Sequence, residues 1–319
     1  MKNWTSLVEE HEGIMPNKVW LENKAENIMA LFKPDTECNE SAIEYEVYKI
    51  GRELGLPCVK IEIFTHNGKI GCLSYDYNKI IEGSYANDIH CAHADYLYKK
   101  GNGLTYNSKD SKGNTLDMID EISMEIVKSQ MPCIEKDVVN MLFLDCLVSN
   151  RDRHGCNWDV VMTIEGEVIG LAPLFDHAAS LWNGYSPEYD KCLVLWEDGK
   201  PELMHFEMFE RLSYEYPEQI KDLLQKCSGI EFIDFVAERY TKMQDIFERV
   251  EARQETKSQN EIHKDSQSLS NHSNSQRKPN APQVRKSFEE RTTQAKTRAD
   301  AHNSQQSQTR KSNKDTPDL

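Results

Sequence analysis

Asn150-Arg151-Asp152-Arg153-His154-Gly155-Cys156-Asn157, with Phe175-Asp176-His177 a short way beyond, is the stretch on which the fold turns. It sets an Asp, an Asn five positions later and a second Asp on a loop and hairpin. Magnesium takes hard oxygen ligands, usually one or two protein groups together with water and substrate phosphates. Transfer of a phosphoryl group also needs a carboxylate to orient the attacking hydroxyl and an Asn to hold metal. Asp152 and Asn157 have that spacing, and Asp176 is the candidate second metal-binding carboxylate.

The flanks strengthen this reading. Residues 137–148 are apolar almost all round, with Val138, Val139, Met141, Leu142, Phe143, Leu144, Leu147 and Val148, which predicts a buried helix. That helix delivers the chain into the Asp152 loop. Strand-like residues 159–164 and 168–175, turning at Glu165-Gly166-Glu167, return it to Asp176. A loop held by a core helix and closed by a hairpin can present a preorganised site. A lone Asp-x-x-x-x-Asn is common, and Asp152 by itself would serve as a turn cap. The combination of buried helix, charged Arg-Asp-Arg-His run and second Asp favours chemistry. His154 is expected to bond the loop backbone and hold its shape. Arg151 and Arg153 are expected to position the loop or contact phosphate.

Upstream, Lys18-Val19-Trp20-Leu21 and Ile28–Lys33 read as a hairpin, with Pro34 ending the second strand. Residues 39–54 read as a helix on the spacing of Ile43, Val47, Ile50 and Leu54, with Asn39 as cap and Gly55 as stop. Residues 59–65 and 70–75 form a further hairpin around His66-Asn67-Gly68. Lys33, at a strand end, can project into a cleft and neutralise phosphate oxygens, though such a lysine is more often merely solvated. Glu44 or Glu46 on the next helix could pair with it, and Glu44, near the helix start, is favoured. The segment from Gly13 to Lys18 has one glycine and matches no glycine-rich phosphate motif, yet its backbone could lie over phosphates.

The remainder to about Arg249 reads as mainly helical, with candidates at 88–98, 116–129, 202–216 and 233–250. His90-Cys91-Ala92-His93 invites a zinc reading, since a helix would set both imidazoles on one face, but no second cluster completes finger spacing. From Ala252 onward the chain is rich in Ser, Gln, Asn and Lys, with Phe288 its one aromatic, and is expected to be disordered.

The chain has 319 residues and a net charge of −15, and the first 250 carry −19. Such a body repels a nucleic-acid backbone unless charge is locally segregated. The nine cysteines form no Cys-x-x-Cys pair and sit among apolar residues, as expected of reduced thiols. No secretory leader is recognised after Met1 and no apolar run approaches a membrane span, so a cytoplasmic protein without a membrane partner is expected.

Asp152-Arg153-His154-x-x-Asn157, with its hairpin and second Asp, resembles the catalytic segment of atypical kinases, the phosphatidylinositol kinases and the HipA-like protein kinases. Ordinary protein kinases carry His-Arg-Asp and Asp-Phe-Gly instead. Leu171-Ala172-Pro173-Leu174-Phe175-Asp176 resembles the Pro-x-(Tyr/Phe)-Asp segment of the HipA-like group, and Gly13–Trp20 its phosphate-covering loop. The size and layout resemble the compact, CtkA-type branch of the HipA-like serine/threonine kinases, over roughly residues 6–245. This implies an α+β fold with two lobes: a small β-rich N-lobe with one helix (1–78), a larger mainly helical C-lobe (79–250), then a disordered tail (251–319). It implies ATP and Mg2+ as cofactors and an unidentified protein substrate with a Ser or Thr acceptor, often with autophosphorylation. By motif position Asp152 becomes the catalytic base, Asn157 and Asp176 the metal ligands, Lys33 the phosphate lysine and Glu44 its partner. Ser74-Tyr75-Asp76-Tyr77 falls where an interlobe hinge would bind adenine, which singles out Tyr75 and Tyr77. A lipid or small-molecule kinase of the same fold, and a nucleotide-binding pseudokinase, are the alternatives.

Overall fold

The structure is a computed structural model, and it describes residues 4–7, 18–36, 39–77, 89–94, 108–109, 115–116, 122–181, 191–192, 194–195 and 203–273. The chain divides into two units, Met1–Gln259 and Asn260–Leu319.

The first unit opens with an antiparallel sheet of five strands: β1 (Thr5–Ser6), β2 (Val19–Asn23), β3 (Ile28–Pro34), β4 (Ile61–His66) and β5 (Lys69–Tyr75), in the order β1-β2-β3-β5-β4. The β4–β5 turn is Asn67-Gly68, both at positive φ (50° and 77°), the backbone that matches the twist of a two-residue hairpin. One face of the sheet carries Leu21, Ala30, Phe32, Leu73 and Tyr75, covered by Trp4, Val19, Ile28 and Phe64. The alternating side chains, including Lys33 and Cys72, which pair across β3 and β5, belong to the other face. That face meets helix α1 (Glu40–Glu53).

The predicted helix is present, but its cap differs. Asn39 sits at φ 53° and makes no side-chain cap. Asp35 does the work instead: its Oδ1 accepts from the Ser41 amide at 2.7 Å and its Oδ2 from the Ser41 hydroxyl at 2.8 Å. Asn39 takes the left-handed bend, which Asn tolerates better than most residues, and so leaves the capping to an acid outside the helix. Gly55, at φ 77°, closes the helix as expected, with the Leu56 amide on the Gly51 carbonyl at 2.8 Å.

The larger core is helical. It gathers α2 (Met124–Gln130), α3 (Glu135–Val148), α4 (His205–Glu215), α5 (Pro217–Cys227) and α6 (Asp234–Ser273). Helix α3 is its axis: ten consecutive-turn positions from Val138 to Val148 are buried, including Asp145. α5 was absent from the sequence reading, although Pro217 at the first turn and Ile220, Leu223, Leu224 and Cys227 at helical spacing mark it. A second antiparallel sheet joins β6 (Ile89–His93), β7 (Asp159–Thr163) and β8 (Val168–Leu171) in the order β8-β7-β6.

Three expectations are corrected here. Residues 89–93 are a strand, because β7 offers them a full ladder from Asp159↔His93 to Thr163↔Ile89. His90 and His93, three apart on a strand, therefore lie on opposite faces, which removes the geometry of the zinc reading. Among the described residues, no group of three His, Cys, Asp or Glu side chains is placed to hold a metal. Within 116–129, Met124 onward is helical and Leu116 and residues 122–123 are extended, while 117–121 lie outside the described residues. Beyond Val250, α6 continues to Ser273 where disorder was expected. Residues 251–260 bury little, but they are rich in Glu, Gln, Lys, Arg and Ala, and helix propensity on a helix already anchored by its first turns needs no burial. Arg253 meets Glu210 of α4 and Lys221 of α5 meets Glu251, at 2.6 and 3.0 Å. Among the described residues no helix is long and apolar enough to cross a membrane.

Candidate active site

Lys33 is the cation at the centre of the site. It projects from β3 with its Nζ 2.8 Å from Glu44 Oε1 and 2.9 Å from Asp176 Oδ1. Glu44 comes from α1 and is buried; its Oε2 accepts the backbone amide of His177 at 3.1 Å. One carboxylate thus holds the lysine with one oxygen and the Asp176–His177 backbone with the other. Burial opposes the charge on Lys33, but Glu44 and then Asp176 outweigh it and hold its pKa above the ordinary 10.5. Burial opposes the charge on Asp176 too. Lys33 and then Lys18 overcome it and hold that carboxyl below the ordinary 3.8. Lys18 therefore acts on Asp176 from the position just before β2, whereas Gly13 lies outside the described residues.

The catalytic-loop candidates are held from below by α3. Ser149 leaves the helix at φ 57°. Asn150 follows, buried, its side chain donating to Asp145 Oδ1 at 2.9 Å and accepting the Asp152 amide at 3.1 Å. The Asn150 carbonyl accepts from His205 at 2.8 Å. Asn157 donates its side-chain amide to the Asp152 carbonyl at 2.6 Å and to Asp152 Oδ2 at 3.1 Å. With its donor end so engaged, Asn157 has an oxygen left to meet a cation. The Asp152 side chain is 56% exposed, so an incoming hydroxyl can reach it. His154 does what the sequence suggested: its Nδ1 accepts the Cys156 amide and its carbonyl accepts that of Asn157.

Arg153 joins the two halves. It is buried, and its Nε and Nη2 each reach Asp145 at 3.0 Å, a paired fork. Its Nη1 donates to the carbonyls of Asn157 and Phe175. Its Nη2 also donates to His177 Nδ1 at 3.0 Å. One guanidinium thereby ties the backbone at Asn157 to the backbone just before Asp176. Burial, then the neighbouring Arg153, pushes the His177 pKa well below the ordinary 6.5, so the ring is neutral and its Nδ1 is the acceptor. Asp176 itself adopts φ 58°. A parallel bridge between Cys58 and Leu174 fastens this segment to the chain after α1, with Val59 and Leu174 exchanging bonds at 2.8 Å with Leu174 and Pro57.

Among solved structures the chain is similar to the Helicobacter pylori proinflammatory kinase CtkA, at 15% identity and TM-score 0.53, over 77% of this chain and 96% of that one. It is also similar to a chain of the Shewanella oneidensis MR-1 toxin–antitoxin complex of HipA, HipB and operator DNA, at 14% identity and TM-score 0.42, over 69% of this chain and 58% of that one. No protein-family model and no curated protein matches the sequence. The chain shares the fold of the CtkA kinase.

Within this kinase fold the predicted residues separate into two groups. Lys33, Glu44 and Asp176 meet directly, Asp152 and Asn157 meet each other, and Arg153 links the two sets. Tyr75 stands apart: its ring packs on the sheet face opposite Lys33, edge-on to Trp4, and its hydroxyl donates to Glu62 at 2.7 Å. Tyr77 turns inward, stacked on Phe175 with ring centres 5.7 Å apart. Asp145 was not singled out from the sequence. The available signal was a lone acid inside an otherwise apolar helix, a placement that is costly unless a partner neutralises it.

Proposed function

We propose that the chain is an ATP- and Mg2+-dependent protein kinase of two-lobed architecture that phosphorylates Ser or Thr hydroxyls. The observation that carries this reading is Lys33 held between Glu44 and Asp176, beside an Asp152–Asn157 pair fixed to the same segment through Arg153. The donor set suits magnesium: Asp176 is kept ionised and Asn157 has a free oxygen end, both hard oxygen donors. Held there by Asp176 and Asn157, magnesium would supply positive charge to offset the charge that develops on the phosphate oxygens.

The protein's own groups have defined tasks in this reading. Lys33, kept charged and extended by Glu44, neutralises nucleotide phosphate oxygens, with Lys18 near enough to assist. Asp152 accepts or orients the proton of the attacking hydroxyl. The Asn157 amide restrains that carboxylate, so its orientation is set before the substrate arrives. Arg153 and Asp145 keep the base and the metal-binding segment in one frame.

The test is incubation of the purified chain with radiolabelled ATP and magnesium, with protein acceptors and lipid vesicles in separate reactions. Label should appear on protein, on Ser or Thr, and vanish with Asp152→Ala. Equal label on both proteins would sink the assignment, and label on lipid alone would change the acceptor class.

A further inference from the structure

Resting on that nucleotide-kinase reading, the structure assigns Asp159 and His93 a part in it: with Tyr77 they form a latch that positions Phe175, and through it Asp176. Asp159 touches none of the candidate reacting groups. It opens β7, two residues after Asn157, and is buried. A buried carboxylate needs donors, and this one has two from distant parts of the chain. The Tyr77 hydroxyl donates to its Oδ2, and His93 Nδ1 lies 2.6 Å from its Oδ1. Its backbone carbonyl accepts the Ala172 amide at 2.9 Å, so the same residue is also fixed to the β8 side of the hairpin.

The latch spans the joint of the fold. Tyr77 lies two residues past β5, where the chain leaves the first sheet. It packs against the cluster of Val59, Ile61 and Cys72 on the sheet side and against that of Val161 and Ala172 on the hairpin side. It stacks nearly flat on Phe175, at an interplanar angle of 19°. Phe175 immediately precedes Asp176, and Arg153 already holds its carbonyl from the other side. The segment before the metal-binding carboxylate is therefore gripped twice, by Arg153 on its backbone and by Tyr77 on its ring. Burial, and then Asp159, raise the Tyr77 pKa above the ordinary 10, so the phenol keeps its proton and remains the donor.

The Asp159 carboxylate reaches Phe175 through Tyr77, which makes it a positioning residue. Tyr77→Phe keeps the ring and its stacking while deleting the hydroxyl; Asp159→Asn keeps the shape while deleting the charge. Two measurements are made on each full-length variant. The first is amide hydrogen exchange at Phe175–His177, which does not depend on any enzymatic activity. The second is the magnesium concentration that half-activates ATP turnover, a readout that general destabilisation would not move. Loss of a charge-assisted hydrogen bond should speed exchange by about 10-fold and raise the magnesium requirement by about 10-fold. Unchanged exchange and an unchanged magnesium requirement in Tyr77→Phe would overturn the latch. A wild-type protein with no ATP turnover would overturn the kinase reading instead, and exchange alone would then decide for or against the latch.

Discussion

The ammonium of Lys33 lies 2.9 Å from the carboxylate of Asp176, across 143 positions of sequence. The two belong to different sheets' surroundings, and Glu44 is what makes the meeting specific, since it binds Lys33 with one oxygen and the His177 amide with the other. Removing the charge of Glu44 should therefore disturb both. Glu44→Gln is expected to lower kcat/KM for ATP by about 10-fold or more, as loss of a charge-assisted bond implies. Steady-state kinetics against ATP check this. Unchanged kinetics would show that Lys33 needs no partner.

Asp176→Asn keeps the size of the side chain and removes its charge. Loss of one such group typically lowers turnover by about 10²-fold or more. Label transfer from ATP should fall accordingly while the melting temperature does not collapse, because the Arg153 contacts use backbone atoms of the neighbouring residues.

Arg153 and Asp145 form a buried ion pair, and breaking such a pair from one side is more damaging than either charge is stabilising. Arg153→Met leaves Asp145 buried without its fork and releases two carbonyls, at a cost of about 3–5 kcal/mol. Urea unfolding should show that loss. Arg153→Lys should recover only part of it, since a single ammonium cannot reproduce the paired geometry.

Gly71 faces Pro34 across β3 and β5, next to the Lys33 carbonyl. A Cβ built there would stand 2.2 Å from the Lys33 carbonyl oxygen and 2.7 Å from the Pro34 Cα, both backbone atoms that cannot swing away. Gly71→Ala is thus expected to splay the β3–β5 pairing next to the position that carries the lysine. Both thermal stability and ATP turnover should drop; a variant with wild-type values of both would refute the close approach.

His177 gives the fold a pH dependence. Its folded pKa is depressed below 6.5, so the unfolded chain takes up a proton there before the folded one does. The stability gained by burying the neutral ring is complete above 6.5 and is lost as pH falls from that value toward the folded pKa. Melting temperature should therefore fall between about pH 7.5 and about pH 5.5, and fall less steeply in His177→Gln. Parallel curves for the two proteins would remove His177 from the account.

Much of the site was legible because it is local. Asp152 and Asn157 lie within one loop, and a side chain can bond five residues away only if the loop folds back, which the buried helix before it enforces. Turns announced themselves in the same way: Asn67-Gly68 and Gly55 take the positive φ that few other residues accept. The errors fell where contacts, near or distant in sequence, override the local pattern. Residues 89–93 carry no periodicity strong enough to declare a strand, and become one because β7 lies alongside. Asn39 looked like a cap and was displaced by Asp35, whose reach to Ser41 depends on the bend between them.

By itself the sequence determined the apolar helix, the hairpins and the helix with Glu44, since each follows from side-chain spacing and backbone preference over a few residues. Only the tertiary structure decided that Asp145 and Arg153 are the frame beneath the loop, that Tyr75 faces away from the site and that Tyr77 closes on Asp159. Those are statements about which charges are buried together. The cost of burying a charge alone, which no local pattern expresses, is what forces each of them onto its partner.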